Sequence, residues 1–172
     1  MSLDSLHDLF VEELRDIHSA ERQLTKALPR MAKAAQSPQL RQAFERHLTE
    51  TEGQIERLDR IFRELGTRGT GKRCIGMEGL IEEGKEMMQE EGDPAVIDAA
   101  LIASAQKVEH YEIASYGCVR NYAEMLGYKE AARLLQQNLQ EEEATDEKLS
   151  KLAEGGVNEA AMAGAGAEEE EE

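Results

Sequence analysis

The sequence lacks several features that mark other protein classes. Tryptophan is absent, aromatic residues make up only 4% of the 172 residues, and no apolar run is long enough to cross a membrane. The two cysteines, Cys74 and Cys118, form no CxxC pair, which argues against a disulfide scaffold or a thiolate metal site. Lysine and arginine are outnumbered 20 to 36 by acidic residues, giving a net charge of −16. Because nucleic acids and anionic membranes require a basic surface, we expect this chain to bind neither.

The residues that are abundant favour helices. Leu, Ala, Glu, Lys, Arg and Gln dominate, whereas β-branched residues are sparse. The length suits one domain with a sizeable core. The first ten residues are amphipathic and acidic, unlike a signal peptide, so we expect a cytoplasmic protein.

Apolar residues recur at steps of three and four along four long segments, which predicts four amphipathic helices. A fifth, shorter helix is predicted in the long connection between the second and third. The five segments are residues 3–35, 38–65, 77–90, 94–126 and 129–153. We therefore predict an all-α fold: a ferritin-like up-down four-helix bundle over residues 1–155, with one long crossover containing a short extra helix. Residues 156–172 are rich in Ala, Gly and Glu and are predicted to form a disordered acidic tail.

Each long helix carries acidic residues on its otherwise apolar face. Glu21 interrupts the first helix and Glu50 the second, Glu109 and Glu112 interrupt the third, and Glu142 interrupts the fourth. At 1.5 Å per residue, the acids of each hairpin lie at the same height, roughly 21–23 Å from their turn. The sequence thus predicts that five glutamates converge in one layer of the interior.

Such a layer needs a neutralising partner. Burying one unpaired carboxylate costs several kcal/mol, so five would cost on the order of 15–25 kcal/mol, more than the roughly 5–15 kcal/mol stability of a typical domain. Protonation with raised pKa values is one solution, and pairing with buried Lys or Arg is another, but no basic residue lies on the apolar faces. Two divalent cations would nearly balance five carboxylates, so we favour a dinuclear metal site.

Neighbouring residues have competing interpretations. His47 is interpreted as a hydrogen-bonded core histidine rather than a ligand, and His110 as exposed. Gln54 is either a ligand or a partner of one. We expect Tyr116 to lie in the core with its hydroxyl bonded to a carboxylate, and Cys118 to be a buried thiol.

Five short motifs resemble the YciE/YciF group of ferritin-like stress proteins. They are Ala20-Glu21-Arg22-Gln23-Leu24, His47-Leu48-Thr49-Glu50-Thr51 with Gln54, Met77-Glu78-Gly79-Leu80-Ile81, Glu109-His110-Tyr111-Glu112-Ile113-Ala114, and Glu141-Glu142 with Ala144-Thr145-Asp146-Glu147-Lys148-Leu149. The resemblance covers about residues 3–153. It implies a usually dimeric, rubrerythrin-like bundle with a dinuclear metal site.

By that resemblance, Glu21 is the ligand of the first helix, Glu50 and Glu142 are bridging ligands, and Glu109 and Glu112 are the paired ligands of the third helix. The sequence departs from ferritin-like sites in one respect. The histidines expected three residues after the second-helix and fourth-helix glutamates are replaced by Gly53 and Thr145. Gln54 and Asp146, one position further on, are the available substitutes. An all-oxygen set of ligands suits iron, our first expectation, and also tolerates manganese.

Three functions remain open at this point. The first is dinuclear-metal oxidoreductase chemistry on peroxide or oxygen, for which the electron donor is unknown because the chain has no CxxC domain. The second is a non-catalytic stress protein that binds metal for structure or sequestration. The third is an interaction module with a protonated, metal-free core. We also predict a homodimer that uses the apolar crossover segment, with the metal site inside each protomer.

Overall fold

The structure is a computed structural model that describes residues 3–166, and within that range it contains helices and turns but no strand. The helices, in chain order, are α1 (Leu6–Ala34), α2 (Pro38–Glu64), α3 (Ile75–Gln89), α4 (Pro94–Met125), α5 (Lys129–Leu152) and α6 (Asn158–Gly166), with a π-helical turn (Ala153–Val157) before α6. No helix in this part of the chain is long and apolar enough to span a membrane.

Local sequence signals fix the ends of the long helices. The Ser37 hydroxyl accepts from the backbone N–H of Leu40, and the Asp93 carboxylate caps α4, each immediately before a proline at the first helical position. Gly66 follows α2 with a φ of 66°, and Gly127 follows α4 with a φ of 77°. This is the left-handed conformation, which ends a helix at low cost when the residue is glycine. These local signals therefore set where α2 and α4 begin and end.

The four long helices form two antiparallel hairpins, α1 with α2 and α4 with α5, which pack so that α1 adjoins α4 and α2 adjoins α5. Asp98 of α4 meets the backbone of Gln36 at one end of α1, and Tyr128 after α4 meets His7 at the other. Helices α1 and α4 are therefore antiparallel. The crossover connects the end of α2 to the start of α4, and its helix α3 packs against α1 and α4. The predicted all-α bundle with one long crossover is confirmed.

The core consists of two apolar clusters, one in each half of the bundle. The first, around Leu24, Phe44 and Leu101, lies toward the α1–α2 turn. The second, around Phe10, Leu58 and Leu135, lies toward the α4–α5 turn. The region between these clusters contains buried polar side chains.

Two features differ from the prediction. Part of the predicted disordered tail, residues 158–166, forms α6 and packs against α4; the closing glutamates fall in 167–172, outside the described residues. Alanine-rich sequence forms helix readily, and the acidic composition of the tail obscured this local preference.

The crossover is also less exposed than predicted, because Met77 is fully buried while Leu80 and Ile81 pack on the first cluster.

Candidate metal centre

A layer of buried polar side chains separates the two apolar clusters, and all four long helices contribute to it. This polar layer consists of Glu21 from α1, His47, Thr51 and Gln54 from α2, Glu109 and Glu112 from α4, and Glu142 from α5, each at most 2% exposed. The α2 members are spaced four and three residues apart and the α4 pair three apart, so each set shares one helix face. Of the five glutamates predicted to converge, the layer contains Glu21, Glu109, Glu112 and Glu142, which come from α1, α4 and α5.

Four members of the layer form its centre. His47, Glu109, Glu112 and Glu142 each offer one nitrogen or oxygen atom, and these atoms all lie within 4.8 Å of one another. An imidazole nitrogen and three carboxylate oxygens are ligands that iron, manganese and zinc accept. The group therefore has the composition and spacing to hold a metal ion.

His47 occupies the middle of this group. Its Nε2 approaches Glu109 Oε1 at 3.1 Å and Glu142 Oε2 at 3.7 Å. Neither contact is a hydrogen bond, because the first is not aligned as one and the second is too long, so Nε2 has no hydrogen-bond partner in the described chain. On the other side of the ring, Nδ1 lies 3.3 Å from the Thr145 hydroxyl, which orients the ring.

Glu21 lies beside this group and is held by Tyr116. The tyrosine hydroxyl donates a hydrogen bond to Glu21 Oε1, and both side chains are fully buried. The other oxygen, Oε2, has no hydrogen-bond partner among the described residues. The predicted bond from Tyr116 to a carboxylate is thus observed.

Glu50 lies at the edge of the layer rather than inside it. Its side chain is 24% exposed, with Oε1 accepting from Arg46 Nε at 2.9 Å and Oε2 lying 3.4 Å from the Thr145 hydroxyl and 3.7 Å from His47 Nδ1. His47, one helical turn earlier, occupies the inward position instead. A rotation of the Glu50 side chain would be needed for it to act as a bridge.

The two predicted substitute ligands differ in placement. Gln54 is fully buried, and neither atom of its side-chain amide has a partner among the described residues. Asp146, by contrast, faces outward: Oδ1 accepts from Gln106 Nε2 at 3.1 Å and Oδ2 lies 3.3 Å from the exposed His110. The structure therefore does not bring Asp146 to the centre, and it confirms that His110 is exposed.

Burial and mutual repulsion raise the pKa values of the carboxyl groups in the layer. Loss of solvation, partly opposed by the Tyr116 hydrogen bond, raises the pKa of Glu21 to about 7. Loss of solvation and the nearby glutamates raise the pKa of Glu112 and of Glu142 well above the usual value. Burial alone would lower the pKa of His47, but the charges of Glu109 and Glu142 outweigh it and raise this pKa well above the usual value. Without metal, the layer therefore retains protons near neutral pH.

The positive charges of His47 and Arg46 have the opposite effect at the edge of the layer. With His47 Nδ1 3.7 Å from Oε2 and Arg46 hydrogen-bonded to Oε1, the pKa of Glu50 is lowered to about 2. Glu50 is therefore ionised, and it is more exposed to solvent than the carboxylates inside the polar layer.

Comparisons with known proteins assign the chain to a family. Residues 5–162 match the domain of unknown function DUF892. The chain is also 50% identical over 159 residues to Protein YciF of Escherichia coli, covering 92% of this chain and 96% of that one. The chain belongs to the DUF892 family. The resemblance of its motifs to the YciE/YciF group is confirmed.

Solved structures of similar chains agree with this fold. The crystal structure of the E. coli stress protein YciF superimposes with a TM-score of 0.87 at 51% identity, covering 90% of this chain and 98% of that one. YcfI from Rhodopseudomonas palustris gives 0.84 at 46% identity, with 87% and 95% covered. A Xanthomonas campestris protein at 22% identity, with a TM-score of 0.70 and 88% and 92% covered, shares the fold.

The unsatisfied polar atoms of this DUF892 chain provide a test of whether a metal fits. Among the described residues, all but one of the buried side-chain nitrogen and oxygen atoms without a hydrogen-bond partner belong to the polar layer. They include both carboxylate oxygens of Glu112 and of Glu142 and one oxygen of Glu109. Buried polar atoms without partners are rare in folded proteins, because each costs about 1–3 kcal/mol. A metal ion would satisfy these atoms, so the residues fit a metal.

A small cavity adjoins the layer on the side of the first apolar cluster. It encloses about 130 Å³ and reaches His47 and Glu109 at its inner end. Its exposed lining residues, Arg46 and Ala144, belong to α2 and α5, so the mouth lies between these two helices. The polar layer is therefore accessible to small molecules from one side.

His47 was predicted to be a hydrogen-bonded core histidine, and the structure buries it with Nδ1 3.3 Å from the Thr145 hydroxyl. Residue spacing did not indicate that His47 would lie among Glu109, Glu112 and Glu142. The expectation for Cys118 was wrong: its thiol is exposed, because the side chain lies one position off the buried face that contains Tyr116 and Val119.

Proposed function

We propose that this chain is a stress protein that binds two divalent cations, iron or manganese, in its polar layer. The observation that carries the proposal is the concentration of buried, unpartnered ligand atoms at one level of the bundle. The assignment to stress comes from the related E. coli protein, which is described as a stress protein.

Charge balance supports two ions. If Glu21, Glu109, Glu112 and Glu142 are all ionised, their four negative charges equal the charge of two divalent cations. A single divalent ion would leave two negative charges uncompensated among buried side chains, which is costly. Two ions therefore suit this layer better than one.

The proposed ligands follow from burial and distance. His47, Glu109, Glu112 and Glu142 form the closest group, Glu21 lies beside them, and Glu50 is the edge carboxylate that can turn inward. Tyr116 and Thr145 orient Glu21 and His47 through hydrogen bonds. Gln54 is either a ligand or a hydrogen-bond donor to one.

Bound iron or manganese would supply electron transfer to peroxide or oxygen, which makes an oxidoreductase the second candidate function. The cavity favours this candidate because it gives small molecules a path to His47 and Glu109. The alternative, a non-catalytic structural role, is consistent with YcfI, which is described as a candidate structural protein. Oxygen uptake or peroxide consumption by the metal-loaded protein with a chemical reductant distinguishes the two.

Metal content after mutation tests the binding proposal. Metal-free protein is titrated with Mn²⁺ or Fe²⁺, and bound metal is measured by equilibrium dialysis and elemental analysis. We expect Glu142→Gln to lose most of the metal and Glu143→Gln, its exposed neighbour, to retain it. Because glutamine removes a buried carboxylate that is unpaired without metal, Glu142→Gln should still fold. Equal metal content in both variants and wild type would contradict the site.

We also propose that the chain is a homodimer with one metal site inside each protomer. All the ligands proposed above come from one chain, so the site needs no residue from a partner.

A further inference from the structure

The cavity beside the polar layer has an apolar wall. Leu24, Leu28 and Met31 of α1, Phe44 of α2 and Val108 of α4 line it together with several alanines. An engineered apolar cavity of about 150 Å³ in another protein stays dry and binds benzene. A cavity of about 130 Å³ therefore has room for an apolar group of about six carbon atoms.

The mouth of the cavity is positively charged. Arg46 and Lys148 are both in the lining, and Arg46 pairs with Glu50. Lys148 has no ion-pair partner within residues 3–166. The chain as a whole has a net charge of −16. At the opening of this cavity, by contrast, two cations and one carboxylate give a net positive charge.

We infer that this cavity binds a short-chain monocarboxylate, with its hydrocarbon tail inside and its carboxylate at Arg46 and Lys148. The apolar wall buries the tail, which supplies most of the affinity. The two cations bind the head, which selects an acid over an alcohol of equal length. The inference goes beyond the proposed function and does not depend on bound metal.

Hexanoate and 1-hexanol are suitable probes because they share a chain length and differ in charge. Binding to metal-free protein is measured by titration calorimetry and by ligand-observed NMR. We expect hexanoate to bind more tightly than hexanol, and Arg46→Gln with Lys148→Gln to weaken hexanoate about tenfold without changing hexanol. The matched control is Lys129→Gln with Arg133→Gln, where a lysine and a paired arginine line a hollow at the other end of the bundle.

Filling the cavity tests the position of the tail. Ala105→Leu on α4 should abolish binding of both probes, and Ala43→Leu on α2 repeats the test in case the first variant does not fold. Unchanged hexanoate binding in a folded filled variant would overturn the inference. So would no binding to the wild type, equal binding of hexanol and hexanoate, or equal loss in the control pair.

Parallel Mn²⁺ titrations separate this inference from the proposed function. If hexanoate binds and Mn²⁺ does not, the cavity assignment stands and the metal proposal fails. If Mn²⁺ binds and hexanoate does not, the metal proposal stands and the cavity assignment fails.

Discussion

At the scale of single residues, the hydroxyl of Tyr116 is the one side-chain donor bonded to the carboxylate of Glu21 within the described chain. Both groups are fully buried, so neither can exchange this bond for water. The bond stabilises the ionised form of Glu21 and opposes the effect of burial on its pKa.

Removing that donor should destabilise the metal-free protein. We expect Tyr116→Phe to lower the free energy of unfolding by about 1–2 kcal/mol, because Glu21 then lacks a buried partner. Urea unfolding measures the change. Tyr122→Phe is the control: Tyr122 is partly buried on the same helix, and no hydrogen bond from its hydroxyl is found in the described chain. Equal effects of the two substitutions would contradict the role of the bond.

The stability of the metal-free protein should also depend on pH. The folded-state pKa of Glu21 is raised from 4.5 to about 7, so its contribution to stability is full below pH 4.5 and is lost as pH rises through about 7. For Glu21 alone the loss is on the order of 3 kcal/mol. The pKa values of Glu112 and Glu142 are shifted in the same direction. The lowered pKa of Glu50 contributes stability above pH 4.5 that is lost as pH falls through about 2, outside this interval.

We therefore expect the free energy of unfolding, measured with urea, to fall between pH 5 and pH 8 in metal-free protein. Glu21→Gln should reduce this slope, and added Mn²⁺ should oppose the loss, because metal displaces the protons. Stability that rises over this interval in the absence of metal would contradict the assignment of the raised pKa values.

At the scale of elements, Cys74 attaches the crossover helix α3 to the bundle. Its sulfur accepts from the backbone N–H of Met77 at 3.4 Å, donates to Asp16 Oδ2 at 3.0 Å, and lies 3.1 Å from the Tyr111 hydroxyl. Its backbone N–H donates to the Ser19 hydroxyl at 2.9 Å. One residue thus caps α3 and connects it to α1 and α4.

The two cysteines should therefore behave differently. Cys74→Ala should lower the free energy of unfolding by about 1–3 kcal/mol through loss of the cap and of buried hydrogen bonds, whereas Cys118→Ala should change it by less than about 0.5 kcal/mol. In the folded protein, a thiol reagent should modify the exposed Cys118 rapidly and Cys74 slowly, because burial raises the pKa of the Cys74 thiol. Rapid modification of both thiols would show that α3 is not held as described.

At the scale of the whole molecule, the predicted dimer can be tested at an exposed position on the crossover. Ile75, the first residue of α3, is 77% exposed, whereas Leu80 and Ile81 are partly buried against the core. We expect light scattering to give twice the 19.2 kDa of the chain. Ile75→Asp should yield a monomer that still binds metal. A monomeric wild type, or loss of metal together with the dimer, would contradict a dimer with a site in each protomer.

Much of this molecule could be predicted because its signals are local or periodic. The apolar repeat and the cap-then-proline starts predicted the helices. The matched heights of Glu21 with Glu50 and of Glu112 with Glu142 predicted the polar layer, although Glu50 lies at its edge. Contacts distant in sequence had no such signal. Asp98 of α4 accepts hydrogen bonds from the backbone N–H groups of Gln36 and Ser37 at 2.8 and 2.7 Å, and nothing in the local pattern indicates this. The inward position of His47 and the outward position of Glu50 likewise depend on small rotations of α2 that residue spacing does not resolve.

The most direct test of the metal centre is anomalous diffraction from crystals grown with Mn²⁺, measured on both sides of the manganese absorption edge. We predict two anomalous peaks per chain inside the bundle, bonded to His47, Glu109, Glu112 and Glu142 and extending to Glu21. Peaks found only at surface carboxylates, with none in the polar layer, would contradict the account.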